Sequence, residues 1–211
     1  MGTLVMVLGK SGAGKSTSLR NFEPGEVGIF NVAGKPLPFR KRLQKADRCG
    51  YHAIIESLRA NKLRAYVVDD STYLMQFANF ARARETGYGK FTDFAVDFER
   101  MLEAAMATDD NTIVYILHHP DIDERGNVKP KTIGKMLDEK LCIEGLFPIV
   151  IGCEVRDGAH VFTVDNDGYN LVKAPMGMFE SGAFDNDLKA VDTAIREYYG
   201  MEPIDAGGDA Q

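Results

Sequence analysis

Short apolar runs alternate along the chain with longer segments of helical periodicity. The apolar runs suit strands that are covered on both faces, and they occupy residues 4–8, 27–32, 65–68, 112–117 and 147–151. The periodic segments between them are predicted to be helices, and they occupy residues 15–21, 51–61, 72–84, 91–107 and 133–141. Strands that alternate with helices predict an α/β fold, in which a mostly parallel, doubly wound sheet is flanked by helices.

The pattern changes after residue 151. Two segments, 159–164 and 169–172, flank the turn-forming sequence DNDG at 165–168. This arrangement predicts an antiparallel hairpin at the C-terminal edge of the sheet. A last helix is predicted over residues 187–199.

Composition and charge limit the classes of protein to consider. With 211 residues, 45% of them hydrophobic, residues 1–200 are expected to form one domain and residues 201–211 a small, polar, mobile tail. The formal net charge of −6 argues against a surface that binds nucleic acid everywhere, although basic patches remain. The apolar run at the start is too short to span a bilayer and has no basic leader, so no membrane association is expected. Cysteines that are few, odd in number and widely spaced suit reduced thiols, which favours a cytoplasmic location.

The strongest motif follows the first apolar run. Residues 9–16 read GKSGAGKS and match the pattern G-x-x-x-x-G-K-[ST], between a predicted strand and a predicted helix. Glycines let successive backbone N–H groups converge on phosphate oxygens, and a helix that begins there directs its positive end to the same place. The motif predicts that the chain binds ATP and Mg²⁺, with Lys15 at the β- and γ-phosphates and Ser16 on the metal. The predicted nucleotide-binding residues are Gly9, Lys10, Ser11, Gly12, Ala13, Gly14, Lys15, Ser16 and Thr17.

Two other predicted strands end in polar residues that suit the same site. The run 65–68 is followed by Asp69, which is predicted to hold the metal, and by Asp70, which would orient the attacking water or cap the next helix. The run 112–117 is followed by His118. Because polar residues at the carboxyl ends of parallel strands face the ligand crevice, His118 is predicted to sense the γ-phosphate, with ordinary strand-end hydrogen bonding as the alternative. The predicted catalytic residues are Lys15, Asp69, Asp70 and His118, and the predicted metal ligands are Ser16 and Asp69.

The order of these features resembles the RecA-type recombinase core. More closely, the whole chain resembles the small phage-encoded RecA-like ATPases, including those described as single-strand annealing proteins. The segments that carry the resemblance are GKSGAGKST at 9–17, NVAGKPLPF at 31–39, VDD at 68–70, KTIGK at 131–135 and KAPMGMF at 173–179. The first is generic to P-loop proteins, whereas the last two are typical of the phage group. The resemblance implies an ATPase that acts in phage DNA recombination or single-strand annealing and that associates with itself as a ring or a filament.

The chain departs from the RecA pattern at two positions. RecA-like proteins often end the second strand in Asp-Thr-Glu-Gly, whose glutamate activates water, but this chain has NVAG at 31–34, with Ala33 at the glutamate position. The pattern therefore supports ATP binding more directly than hydrolysis, and it leaves Asp70 as the nearby substitute. The Lys-x-Arg finger of some hexameric relatives reads KAP at 173–175, so Lys173 is a candidate to act on a neighbouring subunit's nucleotide.

The resemblance also implies two loops that bind single-stranded DNA. The first corresponds to residues 82–91, where basic residues stand among glycines and aromatics, as in a loop that stacks bases and follows phosphates. Its alternative is a turn between helices with a solvated face. The second corresponds to residues 121–135. The candidate DNA-binding residues are Arg82, Arg84, Lys90, Lys129, Lys131 and Lys135.

Two other functions remain open at this point. A small-molecule kinase would transfer the γ-phosphate to a nucleoside or nucleotide, with Arg82 and Arg84 as clamps, although the predicted edge hairpin disfavours it. An ATP-dependent switch or assembly factor would bind ATP with little turnover, and Ala33 supports that possibility.

Overall fold

The computed structural model describes residues 1–180 and 182–204. The strands are β1 (Thr3–Leu8), β2 (Gly28–Asn31), β3 (Lys45–Asp47), β4 (Ala65–Asp69), β5 (Ile113–His118), β6 (Pro120–Ile122), β7 (Val128–Pro130), β8 (Ile149–Arg156), β9 (Ala159–Thr163) and β10 (Ala183–Asp185). The helices are α1 (Tyr51–Ala60), α2 (Thr72–Ala81), α3 (Gly89–Met106), α4 (Lys135–Lys140) and α5 (Leu188–Tyr199), and short 3₁₀ helices cover Ser16–Asn21 and Ile143–Leu146.

The main sheet has the strand order β10-β9-β8-β1-β5-β4-β2-β3. Strands β8, β1, β5, β4, β2 and β3 run parallel, and β9 and β10 are added antiparallel at one edge. The prediction of an α/β fold with a mostly parallel sheet, flanking helices and an antiparallel hairpin is confirmed at this level. Strand β5 lies between β1 and β4, so the carboxyl ends of these three strands meet at one edge of the sheet.

Alternation along the parallel strands divides the apolar core into two halves. On β5, Val114 and Ile116 face the side covered by α1, α2 and α3, whereas Tyr115 and Leu117 face the side covered by α5 and the first 3₁₀ helix. Both faces of β5 are buried along its whole length. This explains why the strand reads as one continuous apolar run rather than as an alternating pattern.

The edge hairpin turns earlier than the sequence predicts. Strands β8 and β9 are joined at Asp157 and Gly158, both with positive φ, and β9 pairs on its other side with β10. Residues 169–172 were expected to be the second strand of the hairpin but form none. The chain carries an Asp-Gly step at 157–158 and another at 167–168, and the local pattern alone does not rank two equally good turn signals.

Several short elements also differ from the sequence-based expectation. Strand β3 and the separate β6–β7 hairpin were missed because three-residue strands carry too little periodicity. The segment after the glycine motif was predicted as an ordinary helix and is a six-residue 3₁₀ helix. Within residues 1–180 and 182–204, no helix is both long and apolar enough to cross a membrane.

The predicted tail divides into two parts. Met201 and Ile204 are partly buried and pack against the core on the α5 side. Residues 205–211 lie outside the described residues.

A buried ion pair joins α5 to the sheet. Asp192 and Arg196 are 1% and 3% exposed and form an ion pair one helical turn apart. The hydroxyl of Tyr115 donates to the second carboxylate oxygen of Asp192 at 2.9 Å. Arg196 also donates to the carbonyl oxygens of Arg64 at 2.8 Å and Asn111 at 2.9 Å. The pair is thus hydrogen-bonded on both sides, as a buried ion pair must be to offset its desolvation.

Candidate functional site

A cleft of about 220 Å³ opens at the carboxyl ends of β2, β4 and β5, beside residues 9–16, here named the glycine loop. Its walls come from the glycine loop, from the segment after β2, and from the residues that end β4 and follow β5. Loops at this edge collect polar side chains from several strands, so the topology alone makes it the natural ligand site of the sheet.

Close packing fixes the path of the glycine loop. A Cβ atom at Gly9 would lie 2.5 Å from the carbonyl oxygen of Cys153 on β8, which excludes any side chain there. Gly14 has φ of 105°, and a Cβ atom would lie 2.9 Å from the ring of His160 on β9. The same histidine ring lies with Nδ1 2.9 Å from the carbonyl oxygen of Ala13. Strands β8 and β9 therefore support the loop from behind.

Backbone donors in the glycine loop are left without partners. Within the described residues, the N–H groups of Gly12, Gly14 and Lys15 donate no hydrogen bond, although all three residues line the cleft. Unpaired N–H groups grouped at a cleft suit an anion with several oxygens, such as a phosphate chain. The 3₁₀ helix that follows is short, so its dipole adds less than the predicted helix would, and the loop amides are the main donors.

Lys15 lies at the floor of the cleft. It is 5% exposed, and its ammonium donates to the carbonyl oxygens of Gly9 at 2.6 Å and Lys10 at 3.2 Å. The ammonium lies 3.4 Å from Nδ1 of His119. Burial lowers the pKa of Lys15, against the opposing influence of Asp70 and other nearby groups. An anion in the cleft would stabilise the charged form of this lysine.

Ser16 and Asp69 meet across the cleft. The Ser16 hydroxyl donates to a carboxylate oxygen of Asp69 at 2.9 Å. Asp69 ends β4 and is 4% exposed, and its pKa is raised to about 6 by burial and by the negative charge of Asp70. A hydroxyl and a buried carboxylate held this close are suited to share a small divalent cation.

Asp70 has an unusual backbone conformation and two cationic or polar partners. Its φ is 59°, in the left-handed region that aspartate tolerates better than most residues. Lys35 donates to one carboxylate oxygen at 2.8 Å, and Nε2 of His119 lies 3.2 Å from the other. Burial raises the pKa of Asp70, but hydrogen bonds from His119 and Lys35 outweigh it and lower the pKa to about 2. Asp70 is therefore held as a carboxylate in the wall of the cleft.

Of the two adjacent histidines, His119 lines the cleft and His118 does not. His118, predicted to sense the γ-phosphate, is fully buried on the α3 side of the sheet and does not line the cleft. Its ring contacts the Ser71 hydroxyl at 2.8 Å and the Lys131 carbonyl oxygen at 2.8 Å, and burial lowers its pKa to about 4. His119 lines the cleft instead. His118 continues the face of Ile116, but the sequence does not show which face looks toward the ligand when both are apolar.

The candidate DNA-binding residues lie outside the cleft. Arg82 forms ion pairs with Glu85 and Asp93, and Lys90 donates to the carbonyl oxygens of Arg82 and Glu85. Arg84 is exposed at the end of the same segment. The first predicted loop is thus partly neutralised by its own carboxylates.

The second predicted loop is the β6–β7 hairpin and the turn that leads to α4. Lys129 lies on β7 and is half-buried, whereas Lys131 and Lys135 are exposed. The backbone of Lys131 is tied to both histidines, because its N–H donates to the His119 carbonyl at 2.9 Å and its own carbonyl contacts His118. Lys173, the candidate to act in trans, exchanges two backbone hydrogen bonds with Val150 on β8 and does not line the cleft.

Among the side chains of the cleft, those of Lys35, His119 and His160 were not predicted to belong to the site. Lys35 was noted within the segment NVAGKPLPF but was given no role, although a lysine a few residues after a strand that ends at the same sheet edge is a usable signal. His160 is on β9, far along the chain from the glycine loop, and no local pattern connects the two. In the described residues there is no cluster of three or more His, Cys, Asp or Glu side chains that could hold a metal by itself.

Comparisons with known proteins add no assignment. No protein-family model matches the sequence, and no curated protein matches it. A function for the chain is therefore inferred from the geometry of the cleft.

Proposed function

We propose that the chain binds ATP with Mg²⁺ in the cleft and hydrolyses it, as a RecA-like P-loop ATPase. The observation that carries the proposal is the hydrogen bond of 2.9 Å between Ser16 and Asp69, next to Lys15 and the unpaired N–H groups of the glycine loop. A phosphate chain and a divalent cation would satisfy these groups together, whereas either alone would leave charge uncompensated.

The protein groups fit both partners. Magnesium usually keeps several waters and takes one or two protein oxygens plus phosphate oxygens, so Ser16 and Asp69 are sufficient and a third acidic ligand is unnecessary. When bound, Mg²⁺ would neutralise charge that develops on the phosphate oxygens. The buried Lys15 contributes a fixed positive charge in a place where water screens it little.

Asp70 and His119 are the groups available to orient a water molecule. They lie 3.2 Å apart in the wall of the cleft, and Asp70 is ionised well below neutral pH. This pair would take the role of the glutamate of RecA-like proteins, because this chain has Ala33 at that position. A carboxylate with so low a pKa is a weak base, so the pair positions water better than it removes a proton, and slow turnover is expected.

A role with single-stranded DNA is part of the proposal. The β6–β7 hairpin follows β5 directly. Lys131, just after β7, is hydrogen-bonded through its backbone to His118 and His119. If DNA phosphates bind Lys129, Lys131 and Lys135, the effect of that binding would therefore be transmitted to the cleft through these backbone hydrogen bonds.

ATP turnover measured with and without single-stranded DNA, and with nucleosides, tests this function. We expect turnover that DNA stimulates several-fold. Replacing Lys129, Lys131 and Lys135 together by alanine is expected to remove the stimulation while leaving DNA-independent turnover unchanged. Phosphorylated nucleosides would identify a kinase instead, and ATP binding without turnover would identify a switch.

Replacing Asp69 with asparagine is expected to stabilise the free protein while weakening its Mg²⁺-dependent binding of ATP. The pKa of Asp69 in the fold, about 6, lies above its ordinary value of 3.8, so ionisation of Asp69 opposes folding. This cost is absent below the ordinary pKa, grows as pH rises toward 6 and then levels off. At neutral pH the variant is expected to gain about 1–3 kcal/mol in free energy of unfolding.

Urea unfolding without metal at about pH 4 and about pH 7.5 measures this effect. Asp70→Asn is the matched control, and it is expected to destabilise the protein because the pKa of Asp70 is lowered. An Asp69→Asn gain of equal size at both pH values would contradict the assignment.

A further inference from the structure

Among the described residues, Lys35 is the one lysine that lines the cleft outside the glycine loop. Its backbone is held firmly, because the side-chain amide of Asn31 donates to the Lys35 carbonyl oxygen at 2.6 Å. Its side chain is 58% exposed, and it reaches Asp70 at 2.8 Å and the Tyr73 ring at 5.0 Å. The backbone of Lys35 is thus held in place, whereas its ammonium group is solvated and can move.

The contact between Lys35 and Asp70 can be exchanged from the lysine side. The Lys35 side chain is 58% exposed and can turn into solvent, whereas the Asp70 side chain is 11% exposed and stays in the wall of the cleft. The terminal phosphate of a nucleoside triphosphate carries more charge than one carboxylate and presents several oxygens, so it would compete for the ammonium.

The cleft also gives Lys35 a position distinct from that of Lys15. Lys15 is buried and surrounded by loop carbonyls, with His119 between it and Asp70, whereas Lys35 approaches Asp70 from the β2 side. The side chains form a continuous series, Lys15, His119, Asp70 and Lys35, along one wall. A phosphate chain that begins at the glycine loop would meet Lys35 last.

We propose that Lys35 exchanges its Asp70 partner for the terminal phosphate and so makes the cleft distinguish triphosphate from diphosphate. This inference rests on the proposed nucleotide-binding function. The exchange would also leave Asp70 with His119 alone, so that the carboxylate is exposed to water only when the triphosphate is bound.

The experiment compares binding of ADP and of a non-hydrolysable ATP analogue, each with Mg²⁺, by titration calorimetry. Lys35→Ala is expected to weaken binding of the triphosphate about tenfold or more and that of the diphosphate by less than about threefold. Lys41→Ala is the matched control, because it removes a lysine that pairs with Glu23 at 2.8 Å outside the cleft. That variant is expected to bind both nucleotides like the wild type.

A second comparison separates direct contact from charge screening. If Lys35 only screened the negative charge of Asp70, the Lys35→Ala defect would disappear in an Asp70→Asn background. We expect the selective loss to persist in that background. Equal weakening for both nucleotides, no weakening, or a defect that vanishes with Asp70→Asn would overturn the assignment while leaving the proposed function intact. Wild-type protein that bound neither nucleotide would overturn both.

Discussion

Replacing Lys15 with alanine is expected to abolish the rise in melting temperature that ATP and Mg²⁺ produce in the wild type. A ligand present at about 100 times its Kd adds roughly 2.7 kcal/mol, which corresponds to roughly 5–10 °C for a chain of this size. Lys15 is buried below the loop that would hold the phosphates, so its loss removes a poorly screened positive charge. Differential scanning fluorimetry with and without nucleotide measures the shift.

Two further variants keep this test interpretable. Lys15 also donates to the Gly9 and Lys10 carbonyls, so the alanine variant is expected to melt lower even without ligand, and only the ligand-dependent shift counts. Lys62→Ala removes an exposed lysine far from the cleft and is expected to keep the full shift. Lys15→Arg keeps the charge and is expected to retain part of it. An unchanged shift in Lys15→Ala would refute the nucleotide site.

Replacing Asp192 with alanine is expected to lower the free energy of unfolding by about 3–5 kcal/mol. The change would leave the Arg196 guanidinium buried without a carboxylate and the Tyr115 hydroxyl without its acceptor. The total stability of such domains is roughly 5–15 kcal/mol, so a large part of it would be lost. Urea unfolding at neutral pH measures the difference.

The controls for Asp192 lie on the same helix. Glu197→Ala removes an exposed carboxylate of α5 and is expected to change stability by less than about 0.5 kcal/mol. Asp192→Asn retains an acceptor for Tyr115 and is expected to have an intermediate effect. A loss of less than about 1 kcal/mol in Asp192→Ala would show that the buried pair is replaceable at this position.

The main sheet was predictable because its strands are short, apolar and separated by helices of clear periodicity. Strands β1, β4 and β5 coincide with three of the predicted runs within one or two residues. The sequence predicted an antiparallel hairpin at the sheet edge but placed its turn at 165–168 rather than at 157–158. Both places carry an Asp-Gly step, and the two steps compete as turn signals. Turn choice there depends on pairing with β10, which comes much later in the chain.

The candidate site was predictable only where its residues form a local sequence motif. The glycine loop and Asp69 follow from a motif and from an apolar run that ends in an acid, and the structure brings Ser16 and Asp69 within hydrogen-bond distance. The choice between His118 and His119 depends on which sheet face meets the cleft, and a strand buried on both faces hides that information. Lys35 enters the site through the turn after β2, which no pattern of apolar residues predicts.

If the glycine loop binds nucleotide as proposed, its contacts with His160 and Cys153 would make the affinity depend on the integrity of this end of the sheet. Strand β9 lies one strand in from the edge and pairs on its outer side with the three-residue strand β10, and a strand in such a position can open by local unfolding that leaves the rest of the fold intact. Molecules in which β9 has opened would lose the support behind residues 13 and 14, and the apparent affinity would fall in proportion to the fraction with the strand closed. Hydrogen exchange along β9 would then report an upper limit on how much of the population is ready to accept a ligand.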